Sequence, residues 1–227
     1  MIFLFLLVPI FLFAQTLDPL SLEKALSQSY QFLGSGGQCT AYVSADGTYV
    51  LKLFKNRPFP LSKESRFTPF YTRWHRLRKM QKQMDKRDRL YFAYRYCCDK
   101  LSEETGILYV HFHTDVDLDT CDFVLQKRAI GLEDYFLTLR AQGRLSDARK
   151  AVDQLLELPY SLYKKGMRDR DTHFFNNYGF IEDKPVCFDV GRFVPIDGEE
   201  KKKSYEKKRA LFKKTLYDWL KIHYPEL

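Results

Sequence analysis

Asp169-Arg170-Asp171-Thr172-His173-Phe174-Phe175-Asn176 and, with its aspartate thirteen residues after Asn176, Phe188-Asp189-Val190-Gly191 decide the fold of this chain. Two short apolar runs between them read as strands of a hairpin that returns the second end to the first. A carboxylate, an amide five residues on, and a second carboxylate beyond the hairpin make a chemical set. Asp171 can accept a proton from a hydroxyl nucleophile, while Asn176 and Asp189 offer oxygen ligands to a hard divalent cation. Gly191 frees the backbone directly after the second carboxylate. Each aspartate alone reads as a turn or cap residue. Their order and spacing carry the chemistry.

Working outward, Tyr49-Val50-Leu51-Lys52-Leu53-Phe54 places a lysine inside an apolar strand. Lys52 must face solvent or meet an anion, because an unpaired buried ammonium is costly. Lys55, at the strand end, is the weaker rival. Ahead of it Cys39–Val43 pairs with this strand across Asp46-Gly47, a dipeptide that predicts a type I′ turn. The turn Gly34-Ser35-Gly36-Gly37 precedes that hairpin, and its glycines let backbone N–H groups approach a polyphosphate closely. Gly-rich turns also open many ordinary hairpins.

The remainder supplies the architecture. Residues 57–69 hold three prolines and read as a loop; 71–102 lack Pro and Gly and read as one or two helices. Ile107–His113 and Phe123–Gln126 read as strands. Ser146 is expected to N-cap a helix carrying Ala148, Val152, Leu155 and Leu156, kinked or restarted at Pro159 and ended by Gly166. A terminal helix over Lys203–His223 would turn Leu211, Phe212, Leu216 and Leu220 inward. Strands first and helices later argue α+β with two lobes.

With these elements in place, the sequence resembles the protein-kinase-like superfamily over roughly residues 31–194. Gly34 to Cys39 stands as the Gly-rich loop, Tyr49 to Lys52 as the strand-lysine motif, Asp169 to Asn176 as the catalytic loop, and Asp189-Val190-Gly191 as DFG. The resemblance implies ATP and Mg2+ as cofactors. It makes Asp171 the base and Asn176 and Asp189 the metal ligands. Lys52 with Gly34, Ser35, Gly36 and Gly37 would hold the phosphates. Gln126 to Ala129, Arg128 among them, falls at the adenine-binding hinge. His173 makes the loop D-x-H-x-x-N, which resembles the small-molecule branch, including the lipopolysaccharide-sugar kinases. Departures are Cys39 for the third loop glycine, Asp169 for the first histidine, and no A-P-E motif after Gly191. The family pairs its lysine with a helix Glu; Glu64, Asp85, Asp88, Asp99, Glu103 and Glu104 are the candidates here. The implied activity is phosphoryl transfer to a hydroxyl of a sugar, glycolipid or protein. The alternatives are a divergent protein kinase exported by a bacterium and a pseudokinase binding module.

Charge and targeting signals complete the reading. The net charge is +8, yet residues 52–95 alone hold 14 basic and 3 acidic residues. Such a block suits an anionic membrane surface or phosphorylated glycolipid; no nucleic-acid motif accompanies it. Residues 1–14 form an apolar run shorter than the ~20 residues of a bilayer-spanning helix, and 1–16 read as a signal peptide or membrane anchor. The domain proper is then 17–227, its lobes meeting near residues 126 and 127, on a membrane-associated or exported protein. Five cysteines, with no CxxC, exclude a disulfide scaffold and a structural zinc site. Asp115-x-Asp117-x-Asp119 lacks the glycine and glutamate of a calcium loop and reads as a solvated connection.

Overall fold

The computed structural model describes residues 17–55, 70–112, 121–171, 174–196 and 200–227. The apolar run, the proline loop, the acidic repeat and His173 lie outside the described residues. The chain enters through α1 (Pro19–Leu26), whose start is fixed by Pro19 and by Asp18, which accepts the Ser21 N–H at 3.0 Å. Strands β1 (Tyr30–Ser35), β2 (Cys39–Ser44) and β3 (Tyr49–Phe54) follow, then the long α2 (Phe70–Lys100) and the single turn α3 (Ser102–Thr105). Strands β4 (Ile107–His111) and β5 (Phe123–Lys127) complete a five-stranded antiparallel sheet of order β1-β2-β3-β5-β4.

The β2–β3 connection departs from the expected type I′ turn. Gly47 alone has positive φ (72°), and its N–H donates to the Ser44 carbonyl at 2.8 Å. Asp46 accepts the Thr48 N–H and the Ser44 hydroxyl, and this side-chain bonding holds Asp46 out of the left-handed region. A hairpin with two consecutive positive φ values occurs instead at Glu182-Asp183 (50° and 64°), where Asp183 also accepts the Tyr135 hydroxyl at 2.7 Å.

Helix α2 lays Ala93, Tyr94, Cys97 and Cys98 against the sheet. Phe54 from β3 meets Tyr94 and Phe112 edge-on at 5.1 and 5.3 Å, and Tyr91 stacks on Phe112. The Tyr91 hydroxyl donates to the buried Asp122 carboxylate. These aromatic contacts add directional packing to plain area burial.

Past β5 come β6 (Ile130–Gly131), α4 (Leu132–Ala141), α5 (Leu145–Lys164), β7 (Met167–Asp169), a 3-10 turn (Phe174–Asn176), β8 (Tyr178–Ile181), β9 (Lys184–Cys187), β10 (Phe193–Pro195) and α6 (Glu200–His223). Helix α5 starts one residue before Ser146, with Arg144 at the cap bonded to Asp147. It runs through Pro159 without restarting. Leu155, Leu158 and Leu162 are buried on both sides of the proline, so tertiary burial outweighs the lost backbone bond. Gly166 (φ 81°) terminates it. In α6, Tyr205, Phe212, Leu216 and Leu220 face inward, whereas Leu211 is 45% exposed, contrary to expectation. Its position is off the stripe that a 3.6-residue period allows. The antiparallel sheet with its long helix and the helical C-terminal part make an α+β fold with two lobes, as expected from the order of strands and helices. Among the described residues no helix is long and apolar enough to cross a membrane.

Candidate active site

Strand alternation decides where Lys52 points. Val50, Lys52 and Phe54 are buried on one face of β3, and Lys52 is 8% exposed. Of its two options it takes the inward one. Its Nζ donates to the Phe188 carbonyl at 2.6 Å, and the Asp189 carboxylate lies near enough to bear on its charge. Burial holds the ammonium below the ordinary lysine pKa, with Asp189 opposing. The same Phe188 carbonyl accepts Gln126 Nε2 at 3.2 Å.

Two antiparallel pairings bring the other groups to this point. Strands β7 and β10 pair with Asp169 opposite Phe193, and the Arg170 N–H reaches the Arg192 carbonyl at 3.2 Å. Asp169 Oδ1 accepts the Asp171 N–H at 2.7 Å, which fixes the turn leading into the loop. Arg192 Nε stands 3.4 Å from Asp171 Oδ2, in contact with the carboxylate assigned as base. Strands β8 and β9 pair Tyr178 with Cys187, and the Phe188 N–H extends the ladder to the Asn177 carbonyl at 2.9 Å. Asn176 and Asp189 therefore emerge one residue beyond this pair, at neighbouring ends of the hairpin, and both are exposed. Asp189 Oδ1 accepts the Gly191 N–H at 3.1 Å, and fully buried Val190 anchors the turn between them. An exposed carboxylate beside an exposed amide oxygen fits a hard divalent cation, and the fixed turn orients it.

The glycine turn sits above. At Gly34 and Gly37 a Cβ would meet nothing within 4 Å, so the backbone is open to close approach. The turn is held by the Gly36 N–H on the Cys39 carbonyl and by Lys55 Nζ on the Gly36 carbonyl, at 2.9 and 2.6 Å. Ser35 and Thr40 hydroxyls bond across it. Gln38 reaches down over Gly191, where any Cβ would collide with its side-chain oxygen. Cys39 lies on the same sheet face as Lys52; burial raises its thiol pKa, with Lys52 opposing.

At the hinge, the Gln126 side chain turns inward, fully buried, and bridges the Thr105 and Phe188 carbonyls. The N–H groups of Lys127 and Arg128 are engaged with the Gly106 and Thr48 carbonyls, and the Arg128 guanidinium lies against Gly47.

The expected helix carboxylate for Lys52 does not appear among the described residues. Asp85, Asp88, Asp99 and Glu103 are exposed, and Glu64 lies outside the description. Glu104 is buried, but its Oε1 takes Lys165 Nζ at 2.7 Å and the Ser161 hydroxyl at 2.8 Å. The inner face of α2 carries Tyr94 instead, its hydroxyl pKa raised first by burial and then by Asp189. Sequence reasoning missed Gln126 as an internal bridge, Arg192 on Asp171, Gln38 over Gly191, and Tyr94. One signal was available: Gln126 ends the apolar run Phe123-Val124-Leu125, and a buried amide needs partners as a buried lysine does.

No family model matches the chain, and no curated protein matches it. Among solved structures it is similar to WbdD, which is described as a bifunctional kinase-methyltransferase. One WbdD structure is 14% identical with a TM-score of 0.43, covering 81% of this chain and 37% of that one. A second is 13% identical with a TM-score of 0.45, covering 81% and 38%. A WbdD co-crystal with a kinase inhibitor gives 13%, a TM-score of 0.34, and coverage of 72% and 33%. The chain thus spans less than two fifths of the WbdD chains it matches.

Proposed function

We propose that the chain is an ATP- and Mg2+-dependent phosphotransferase acting on a hydroxyl group. The observation that carries this reading is Lys52, buried, bonded to the carbonyl that precedes Asp189 and lying beside that carboxylate. A fold does not spend a buried lysine on a turn without a use for the charge. Lys52 with the open backbone at Gly34 and Gly37 would grip the phosphates, and Asp171 would accept the proton of the attacking hydroxyl. Asn176 and Asp189 would hold Mg2+, which supplies charge neutralisation at the transferring phosphoryl group. Arg192, with its Nε 3.4 Å from Asp171 Oδ2, would orient that carboxylate until an acceptor arrives.

The acceptor we favour is a sugar or lipid-linked glycan at an anionic membrane. Supporting this, Arg78, Lys82, Lys86 and Arg89 are exposed along α2. One observation favours a second reading, a nucleotide-binding module without turnover: Lys52 has no helix carboxylate among the described residues.

Mg2+-dependent ATP binding and turnover in wild type and Asp189→Ala test the proposal. Wild type should bind ATP more tightly with the metal and turn it over, and Asp189→Ala should lose both effects. Equal affinity with and without metal, and no turnover in either protein, would sink it. Lipid-linked sugars against generic peptides as acceptors separate the two substrate classes.

A further inference from the structure

The Phe188 carbonyl is a junction. It accepts Lys52 Nζ at 2.6 Å and Gln126 Nε2 at 3.2 Å, from two different strands of the sheet. Gln126 Nε2 also donates to the Thr105 carbonyl at 2.5 Å, at the end of α3. Because both of its neighbours are carbonyl oxygens, only the NH2 end of the amide satisfies them, so the orientation of Gln126 follows from chemistry. Gln126 is 1% exposed, and in such a low-dielectric setting each of these bonds is strengthened. Thr105 is itself fixed, its hydroxyl donating to the Leu101 carbonyl at 2.7 Å.

We propose that Gln126 is a positioning residue that, through the Phe188 carbonyl, sets the place of both Lys52 and Asp189, where the described residues offer Lys52 no helix carboxylate. The inference deepens the phosphotransferase reading and rests on it. A carboxylate on α2 would hold Lys52 by its charge and leave the backbone before Asp189 to find its own place. Here one neutral amide ties the β5 strand and α3 to residue 188, and that one oxygen receives the lysine. Lys52 and Asp189 are thereby registered against a common point. The Asp189 backbone is gripped on both sides, by Gln126 and Lys52 at residue 188 and by the Gly191 N–H returning to Oδ1.

The test uses the full chain with Gln126→Met, which keeps length and loses both donors, and Gln126→Glu, which keeps shape and replaces donors by acceptors. Hydrogen exchange of the 186–193 segment in ligand-free protein is the first readout. Loss of the tie should speed exchange there about tenfold, with α5 unchanged. The second readout is ATP affinity with and without Mg2+. The metal-dependent gain should fall about tenfold in both variants, and metal-free affinity should fall with it, because Lys52 shares the carbonyl that Gln126 holds. A lower melting temperature with unchanged exchange at 186–193 and an unchanged metal-dependent gain would mean that Gln126 only fills space, and would overturn the proposal. Should Gln126→Met fail to fold, Gln126→Glu carries both readouts. If wild type shows no metal-dependent gain, the phosphotransferase reading fails by itself. The exchange result then still decides whether Gln126 holds the 188–191 segment.

Discussion

Lys52 and Glu104 are opposite charges buried in the same half of the molecule, and in the family that the sequence resembles a lysine and a glutamate would be partners. Here each has gone elsewhere. Lys52 meets a backbone carbonyl, with a carboxylate beside it that is exposed on its far side. Glu104 meets Lys165 and Ser161 at the end of α5, where the Tyr96 hydroxyl also bonds the Lys165 carbonyl at 2.6 Å. One charge stays incompletely compensated and, on the proposed reading, would meet a ligand. The other is compensated within the protein and fastens α2 and α3 to the C-terminal half. The difference separates what a buried charge does for chemistry from what it does for cohesion.

The largest expected effect is at Lys52. Lys52→Met should lower turnover by about a hundredfold or more, if the lysine stabilises charge on the transferring group. It should also raise the melting temperature. The folded-state pKa of Lys52 is lowered by burial, so between that value and the ordinary lysine value the unfolded chain binds more protons. The contribution of Lys52 to stability therefore rises with pH across that window, and below it the charged lysine is a standing cost. Thermal melts at neutral and alkaline pH check this: the melting-temperature advantage of Lys52→Met over wild type should shrink as the pH rises. A variant less stable than wild type at both pH values breaks the contrast.

The next effect should have the reverse signature. Lys165→Met leaves buried Glu104 with Ser161 alone and should cost about 2 kcal/mol in urea unfolding, a figure already reduced because Lys165 is half exposed. Turnover at a permissive temperature should stay within about threefold, since the ion-pair partner of Lys165 is Glu104 and not a candidate site residue. Loss of turnover without loss of stability would show that the fastening also gates the site. The smallest expected effect is the most direct. A double-mutant cycle of Lys52→Met with Glu104→Gln should return a coupling below about 0.5 kcal/mol, the value for independent sites. A coupling above about 1 kcal/mol would mean that the two charges pair in solution after all.

The parts of this arrangement that could be read from sequence are those held by short-range geometry. Asp171, Asn176 and Asp189 lie on either side of one hairpin, so spacing alone suggested that they meet. Lys52 announced itself by standing in an apolar strand, which limited it to two fates. What decided between them was a carbonyl 136 positions away, and no local pattern reports that. The same holds for Gln126 on Phe188, 62 positions off, and for Glu104 on Ser161, 57 positions off. The turn at Asp46-Gly47 failed for the opposite reason. The dipeptide preference is local, but a neighbouring serine and threonine offered Asp46 a better local bond. The Leu211 error came from extending an apolar stripe by one position.

Gly179 sits where two backbones of the C-terminal half press together. It pairs with Gly131 in the β6–β8 ladder, and a Cβ there would run into the Ile130 carbonyl, a backbone atom with no rotamer to yield. Even a single methyl group must pry β6 from β8, directly beneath the segment joining the lobes and next to the turn that presents Asn176. The damage would be partial and would grow with temperature, as the loosened ladder frays. A mutagenesis screen for heat-conditional alleles should therefore converge on Gly179→Ala and Gly179→Ser, giving a genetic handle on the protein that needs no knowledge of its substrate.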